Sequence, residues 1–398
     1  MDAATPPEVA NAAIRSDEGE AYLGECKARI LEEIRRIVRE GTAGDERAYR
    51  VLLDYPLRRA KGLRPALCVA VCRALGGDLE SVIPSAAVIE LYHNAFLIHD
   101  DIEDGSHERR GGPALHRTIG VPAAINCGDG LLALTLGPLL ENTETLGLGR
   151  ALRVLEIYAR AVTESFEGQA QELAWIEEAT WQLTDADYEA MVLRKTCSYS
   201  FVAPGLVGAA VAGADPEMDA ALIPFLENLG LAFQIQDDVL NLEEGRGDYG
   251  KELAGDLWEG KRTLMLLHAL RSASEPDREA ALRILKKPRP TLGSPEDRLS
   301  ELLSTMVGEG VIDERARGSI SDYLVRRGLS AGVKTEEDVR FLSRLIERHG
   351  SVAHARTVAD RRARAAEASF AVLSERIPDS AHRRFIGWLK DYVVRREW

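Results

Sequence analysis

An apolar helical run that ends in a cluster of aspartates occurs twice in this chain, and that repetition constrains the fold more than any other feature. The first, LYHNAFLIHDDIEDGSHERRGGP, spans 91–113 and presents Asp100, Asp101 and Asp104 before a glycine turn and the pair Arg109 and Arg110. The second, FQIQDDVLN, spans 233–241 and presents Asp237, Asp238 and Asn241, with Lys251 and Lys261 downstream, each preceded by glycine. Helical residues four apart share a face, so Asp100 and Asp104 stand one turn apart. His93 lies about two turns below Asp100 on that face. Carboxylates this close repel each other unless something positive sits between them. Oxygen ligands on one face suit Mg²⁺, which keeps several waters and is usually completed by substrate phosphates. Two such helices facing each other would hold Mg²⁺ between them and, with the following cations, grip a charged phosphate ester. The bland reading of the first cluster is a solvated acidic turn beside a basic one. Its recurrence on a second apolar helix weighs against that.

The remainder of the chain agrees with an all-α fold. It has 398 residues, 45% of them apolar and 29% charged, enough for a large buried core. YLGECKARILEEIRRIVRE, from Tyr22, has apolar residues at helical spacing. RPALCVAVCRAL and SAAVIELYHNAFLIHDD are apolar nearly all round, the mark of helices buried on most sides. Period-2 strands are not evident, so we expect a helical bundle around a central deep cavity. Residues 1–20 are small, polar and proline-bearing, and read as a flexible tail. Residues 21–398 read as a single domain. No signal-type n- or h-region precedes it, and the longest apolar run, GLLALTLGPLL at 130–140, is about half a bilayer span and reads as a buried helix. The five cysteines, Cys26, Cys68, Cys72, Cys127 and Cys197, suggest reduced buried thiols and a cytoplasmic location. A net charge of −14 argues against a nucleic-acid partner.

The motifs DDIED–x4–RRG, FQIQDD–xx–N and GK–xxx–GDL–xx–GK, in that order, resemble the trans-prenyltransferases that make isoprenoid diphosphates. Within them the chain is most similar to geranylgeranyl diphosphate synthases, which often carry DDxxN as the second motif and a run like the IGVPAAIN of 119–126. The likeness covers roughly residues 50–285 and 335–398. Residues 286–334 depart from it in length and are expected to be a helical insertion. The resemblance implies the isoprenoid synthase fold, a homodimer, and Mg²⁺-dependent head-to-tail condensation of isopentenyl diphosphate with an allylic diphosphate.

It also implies roles. Asp100, Asp104 and Asp237 would hold three Mg²⁺ ions. Lys195, Lys251, Lys261, Arg109 and Gln234 would cage the allylic diphosphate, with Thr196 beside Lys195 in a KT motif. Lys61, Arg64, His93 and Arg110 would anchor isopentenyl diphosphate. Lys61 and Arg64 stand in LRRAKGLRP, where the family has GGKRLRP; Ala60 and Gly62 depart from that pattern. Left to itself, His93 on an apolar helix would read as a satisfied core histidine. Gln169 and Glu172 would support metal-bound waters. Asn241 would offer a neutral carbonyl or act through water. The growing chain would run down the first aspartate helix, where Phe96 lies about 6 Å below Asp100 at 1.5 Å per residue beside the small Ala95. One bulky and one small residue suggest geranylgeranyl diphosphate, then farnesyl diphosphate, then geranylfarnesyl diphosphate. A class I terpene cyclase would need a Ser or Thr where Gly245 stands. A non-catalytic partner subunit would have lost a metal aspartate or a phosphate cation.

Overall fold

The computed structural model describes residues 15–242, 254–290, 295–326 and 332–395. The only strands among them are the two-residue pair Glu108–Arg109 and Gly112–Pro113; the architecture is otherwise helical. The first helix, Ser16–Gly41, starts earlier than the expected tail boundary. Asp17 and Glu18 occupy its first turn, where the helix dipole favours negative charge. Gly19 lies so close to the Trp388 ring that a Cβ there would sit 2.3 Å from it. The part of the expected tail before residue 15 lies outside the described residues.

Two long helices organise the bundle: the first aspartate helix, Leu79–Glu103, and the second, Pro216–Leu242. The first is central. Leu63–Ala74, Val121–Leu134 and Ala203–Ala212 pack against it, and Val82, Ala86, Ala87, Leu91 and Ala95 are fully buried. Leu63–Ala74 is buried on all sides, with Leu67, Cys68, Val71 and Cys72 fully enclosed. Each such leucine contributes roughly 1.5–3 kcal/mol of transfer free energy, which explains why these stretches are apolar all round. The second aspartate helix packs along Ser351–Ser374. A second apolar cluster, including Val239, Leu257, Leu266, Leu342 and Ile346, fills the space around its C-terminal half.

Between the aspartate helices runs a stretch that periodicity does not announce. Leu193–Val202 is a π-helix and touches both of them. Such bulges are rare and cluster at functional sites. Gly168, on Leu148–Glu177, makes its placement possible: a Cβ there would lie 2.3 Å from the Lys195 backbone nitrogen.

The five cysteines are free and buried. Among the described residues, two helical stretches are long and apolar enough to cross a membrane, Leu79–Glu103 and Val121–Thr145, contrary to the reading of short apolar runs. The run at 130–140 was counted without the residues flanking it in Val121–Leu134 and Leu136–Thr145, which follow each other across Thr135. Burial inside the protein accounts for 78% of the first but only 39% of the second. In the 286–334 segment, Pro295–Gly308 and Glu314–Arg326 are helices in contact.

Candidate active site

One cleft of about 280 Å³ opens between the aspartate helices and the π-helix. Asp100, Asp237, Lys195, Thr196, Gln234 and Lys261 line it, and so do Lys61, Arg64, His93, Phe96, Arg109 and Arg110. Asp104 caps the first aspartate helix and lies just behind, and Ala95 is packed in the core. Neither is among the lining residues. Lys251 lies outside the described residues.

At the metal end, carboxylates and cations interleave. Arg109 donates from Nε to Asp101 Oδ1 at 2.8 Å and lies 3.3 Å from Asp100. Tyr55 donates to the other oxygen of Asp101 at 2.5 Å, so Asp101 is held structurally and Asp100 faces the cleft. Lys195 reaches Glu172 and lies 3.5 Å from Asp100. Burial works against both the Lys195 and Lys261 ammonium groups, yet their carboxylate neighbours outweigh it and hold them charged. Lys261 bonds Asp104 at 2.6 Å and Glu259 at 2.9 Å. Burial pushes the Asp104 carboxyl well up, with Asp100 and Glu259 adding repulsion that Lys261 only partly offsets.

On the opposite helix, Asp238 accepts from Tyr188 at 2.6 Å and from Gln234 at 2.8 Å. Burial, then Asp256, pushes its carboxyl up to about 8. Gln234 therefore supports Asp238 as well as facing the cleft. Asn241 does not offer its carbonyl to the cleft: Oδ1 accepts the Asp256 backbone N–H at 3.1 Å, joining the second aspartate helix to the short helix Gly255–Glu259. That bond gives Asn241 a structural role besides the metal role expected of it. Its side chain fixes the loop that carries Asp256 and Lys261.

At the other end, Gly62 has φ +67, a left-handed turn that leads into Leu63–Ala74 and sets Lys61 and Arg64 on the rim. Arg64 donates to Ser200 Oγ at 3.0 Å and lies over the Tyr199 ring. Lys61 sits 5.4 Å from the Tyr392 ring centroid. Arg110 and Gly111 both have positive φ, 53° and 77°, between the paired residues Arg109 and Gly112. That is the signature of a type I′ hairpin turn. It sends the neighbouring arginines to opposite ends of the cleft, Arg109 to Asp100 and Asp101, Arg110 to Asn94 Oδ1 at 3.0 Å and His93 Nε2 at 3.2 Å. Arginine has no acceptor, so His93 Nε2 accepts and its Nδ1 faces the Tyr199 hydroxyl at 3.5 Å. Burial lowers the Arg110 pKa, with Glu90 opposing.

Below the charges lies an aromatic wall. The Phe96 and Tyr199 ring centroids are 5.5 Å apart, with Tyr92 within 6.0 Å of both and Tyr158 behind Tyr92.

Whether a divalent metal fits can be judged from the donors. Among the described residues, no three Asp, Glu, His or Cys side chains converge on one point. Mg²⁺ needs only one or two carboxylates when waters and phosphates complete its shell, and the cleft offers Asp100 and Asp237 from opposite walls. Burial, with repulsion from neighbouring carboxylates added to it, pushes Asp104 and Asp238 upward. Gln169 donates to Glu103 at 2.5 Å while its buried Oε1 has no partner, an acceptor suited to a metal-bound water. The donor set fits Mg²⁺. Glu172, by contrast, is taken up by Lys195.

Sequence reading missed Tyr188, Tyr199, Asp256 and Glu259. The last two sit in the GDL–xx–GK motif and were within reach of it; nothing local marks the tyrosines.

Residues 46–302 match the Polyprenyl synthetase family. A short chain isoprenyl diphosphate synthase of Methanocaldococcus jannaschii is 35% identical over 64% of this chain and 76% of its own. A geranylgeranyl diphosphate synthase of Methanosarcina mazei is 36% identical over 58% and 69%. Among solved structures, geranylgeranyl pyrophosphate synthetase from Pyrococcus horikoshii superposes with a TM-score of 0.74 at 30% identity, covering 96% of this chain and 99% of that one. The chain belongs to the polyprenyl synthetase family. It has the isoprenoid synthase fold and is a prenyltransferase of that family.

Proposed function

We propose that this enzyme condenses isopentenyl diphosphate with an allylic diphosphate and releases mainly geranylgeranyl diphosphate. The observation that carries the two-substrate reading is the division of one cleft into two cationic ends. Lys195, Lys261 and Arg109 lie among the aspartates. Lys61, Arg64, Arg110 and His93 gather at the other, with Glu90 the carboxylate among them. A cyclase, acting on one diphosphate, has no use for the second group.

In this reading Asp100, Asp104 and Asp237 would hold three Mg²⁺ ions, and Gln169 Oε1 would accept from a water beside them. When bound, the ions neutralise the diphosphate and stabilise charge on it as the carbon–oxygen bond breaks. Lys195, Lys261 and Arg109 add fixed positive charge where that negative charge grows. Lys61, Arg64, Arg110 and His93 hold the second diphosphate so that the isopentenyl double bond faces the allylic carbon. The Phe96–Tyr199 wall excludes water, which would quench a carbocation. The departing diphosphate is the nearest base for the proton lost as the new double bond forms.

Product length rests on the wall. Phe96 fills the cleft below Asp100, while Ala95 points into the packed core. The relatives named as geranylgeranyl diphosphate synthases support the twenty-carbon product. Tyr199, which meets Phe96 across the cleft, favours farnesyl diphosphate as the second reading. Phe96→Ala should lengthen the products by at least one isoprene unit, read by chromatography of the dephosphorylated alcohols. An unchanged distribution would remove Phe96 from the floor.

A homodimer is part of the proposal. Leu136, Leu140, Leu148, Leu152 and Phe166 are exposed on consecutive helices, an apolar surface that would be covered by a second copy. Light scattering after gel filtration should give twice the chain mass, and Leu140→Asp with Leu152→Asp should give the monomer. A monomeric unsubstituted protein that binds lipid vesicles would assign the surface to a membrane instead. Five buried free thiols suit the cytoplasmic placement that goes with this reading.

A further inference from the structure

The 286–334 segment does not merely hang from the bundle. Its two ends meet: the Lys334 backbone N–H donates to Pro288 O at 2.9 Å. From this stem two buried cations enter the same place. Lys334 donates from Nζ to Trp258 O at 2.6 Å, and Arg289 bonds Glu259 Oε1 at 2.8 Å. Trp258 and Glu259 belong to Gly255–Glu259, the short helix immediately before Lys261.

Glu259 is a junction. Its Oε1 takes Arg289 and, at 3.4 Å, Ser106, while its Oε2 lies 2.9 Å from Lys261. Lys261 in turn bonds Asp104 at 2.6 Å. The four charged side chains are only 5–13% exposed: Arg289 7%, Glu259 9%, Lys261 13% and Asp104 5%. Charges this far from water interact strongly with their neighbours. Burial, helped by Arg262 and Arg289 against the opposing Glu259 and Asp338, draws the Lys334 ammonium down to about 8, which fits a stem pressed firmly against the protein.

We propose that Arg289 is a positioning residue for the prenyltransferase site, acting through Glu259 to hold Lys261 toward Asp104 and the allylic diphosphate. Lys261 has two carboxylates competing for its protons. With Arg289 on the far oxygen, part of the Glu259 charge is already neutralised, and Lys261 is released toward the cleft. Without it, the negative charge of Glu259 falls more heavily on Lys261 and draws it back. Arg289 touches no substrate in this scheme. It lies in the segment expected to be a helical insertion, so a stretch that read as a surface hairpin would tune the site. The inference rests on Lys261 serving the allylic diphosphate, as proposed above.

The test is a double-mutant cycle on the full chain with Arg289→Gln, Glu259→Gln and the pair, and Arg289→Lys as the charge-keeping control. Binding of pyrophosphate with Mg²⁺ is measured by calorimetry, and each substrate is varied separately in steady-state assays. A lost charge-assisted interaction of this kind should weaken pyrophosphate binding by about tenfold in Arg289→Gln. The KM for the allylic diphosphate should rise with it, while that for isopentenyl diphosphate stays unchanged. In the Glu259→Gln background the further change to Gln at 289 should have little effect, and Arg289→Lys should restore most of the binding. An equal loss in both backgrounds would overturn the proposal, since Arg289 would then act directly or through the fold. So would unchanged binding in Arg289→Gln. Failure of the unsubstituted protein to bind pyrophosphate would overturn the assignment of the site itself, and this inference with it.

Discussion

Asp100→Ala is expected to lower turnover by about a hundred- to a thousandfold, the scale seen when one preorganised electrostatic contact to a transition state is removed. Asp100 faces the cleft from the end of a long, deeply packed helix, so the fold should survive and circular dichroism should be unchanged. It also sits beside two cations, Arg109 at 3.3 Å and Lys195 at 3.5 Å. Removing it takes one competing carboxylate from each, leaving Arg109 with Asp101 and Lys195 with Glu172 and both better able to meet the diphosphate. The loss should therefore appear in kcat and in the Mg²⁺ requirement, with allylic KM little raised. Asp104→Ala should be similarly inactive but also less stable, because it leaves Lys261 buried with one carboxylate fewer. Ordinary activity at ordinary Mg²⁺ in either variant would contradict the metal assignment.

The second large effect is expected at the other end of the cleft. Lys61→Ala and Arg64→Ala should each raise the KM for isopentenyl diphosphate by about ten- to a hundredfold, as loss of a charge-assisted hydrogen bond of roughly 1.5–3 kcal/mol implies. The KM for the allylic substrate should hardly move. Arg64 also lies over Tyr199 and bonds Ser200, so its removal loosens the aromatic wall as well. Of the two variants, Arg64→Ala is the one expected to broaden the product range. Equal effects on both substrates would mean that the two phosphate sites are wrongly divided.

What could be read from the sequence, and what could not, follows from the range of the interactions. Helical spacing tells which residues share a face, so Asp100 with His93, and Lys61 with Arg64, were legible from local pattern. The apolar character of Leu63–Ala74 and Leu79–Glu103 marked them as central helices. Spacing does not tell which other helix meets that face. Tyr188 and Asp238 are fifty positions apart, and no pattern near either one announces their bond. Asn241 shows a different limit. Its position in the motif suggested a ligand, yet its carbonyl serves a backbone N–H fifteen residues on. Ala95 and Phe96 are neighbours, but a step of about 100° around the helix puts one in the core and the other in the cleft. The left-handed Arg110 was not legible either; the glycines after it hinted at a turn without showing that the two arginines would part.

The central claim is that one cleft binds two diphosphates and joins them. Its most direct test is incubation of the purified protein with Mg²⁺, labelled isopentenyl diphosphate and, in turn, dimethylallyl, geranyl and farnesyl diphosphate, followed by chromatography of the dephosphorylated products. The expected result is label in prenyl alcohols, with geranylgeraniol dominant whichever primer is supplied, and none without Mg²⁺. Recovery of unconsumed isopentenyl diphosphate with every primer, or conversion of an allylic diphosphate alone into hydrocarbons, would contradict it.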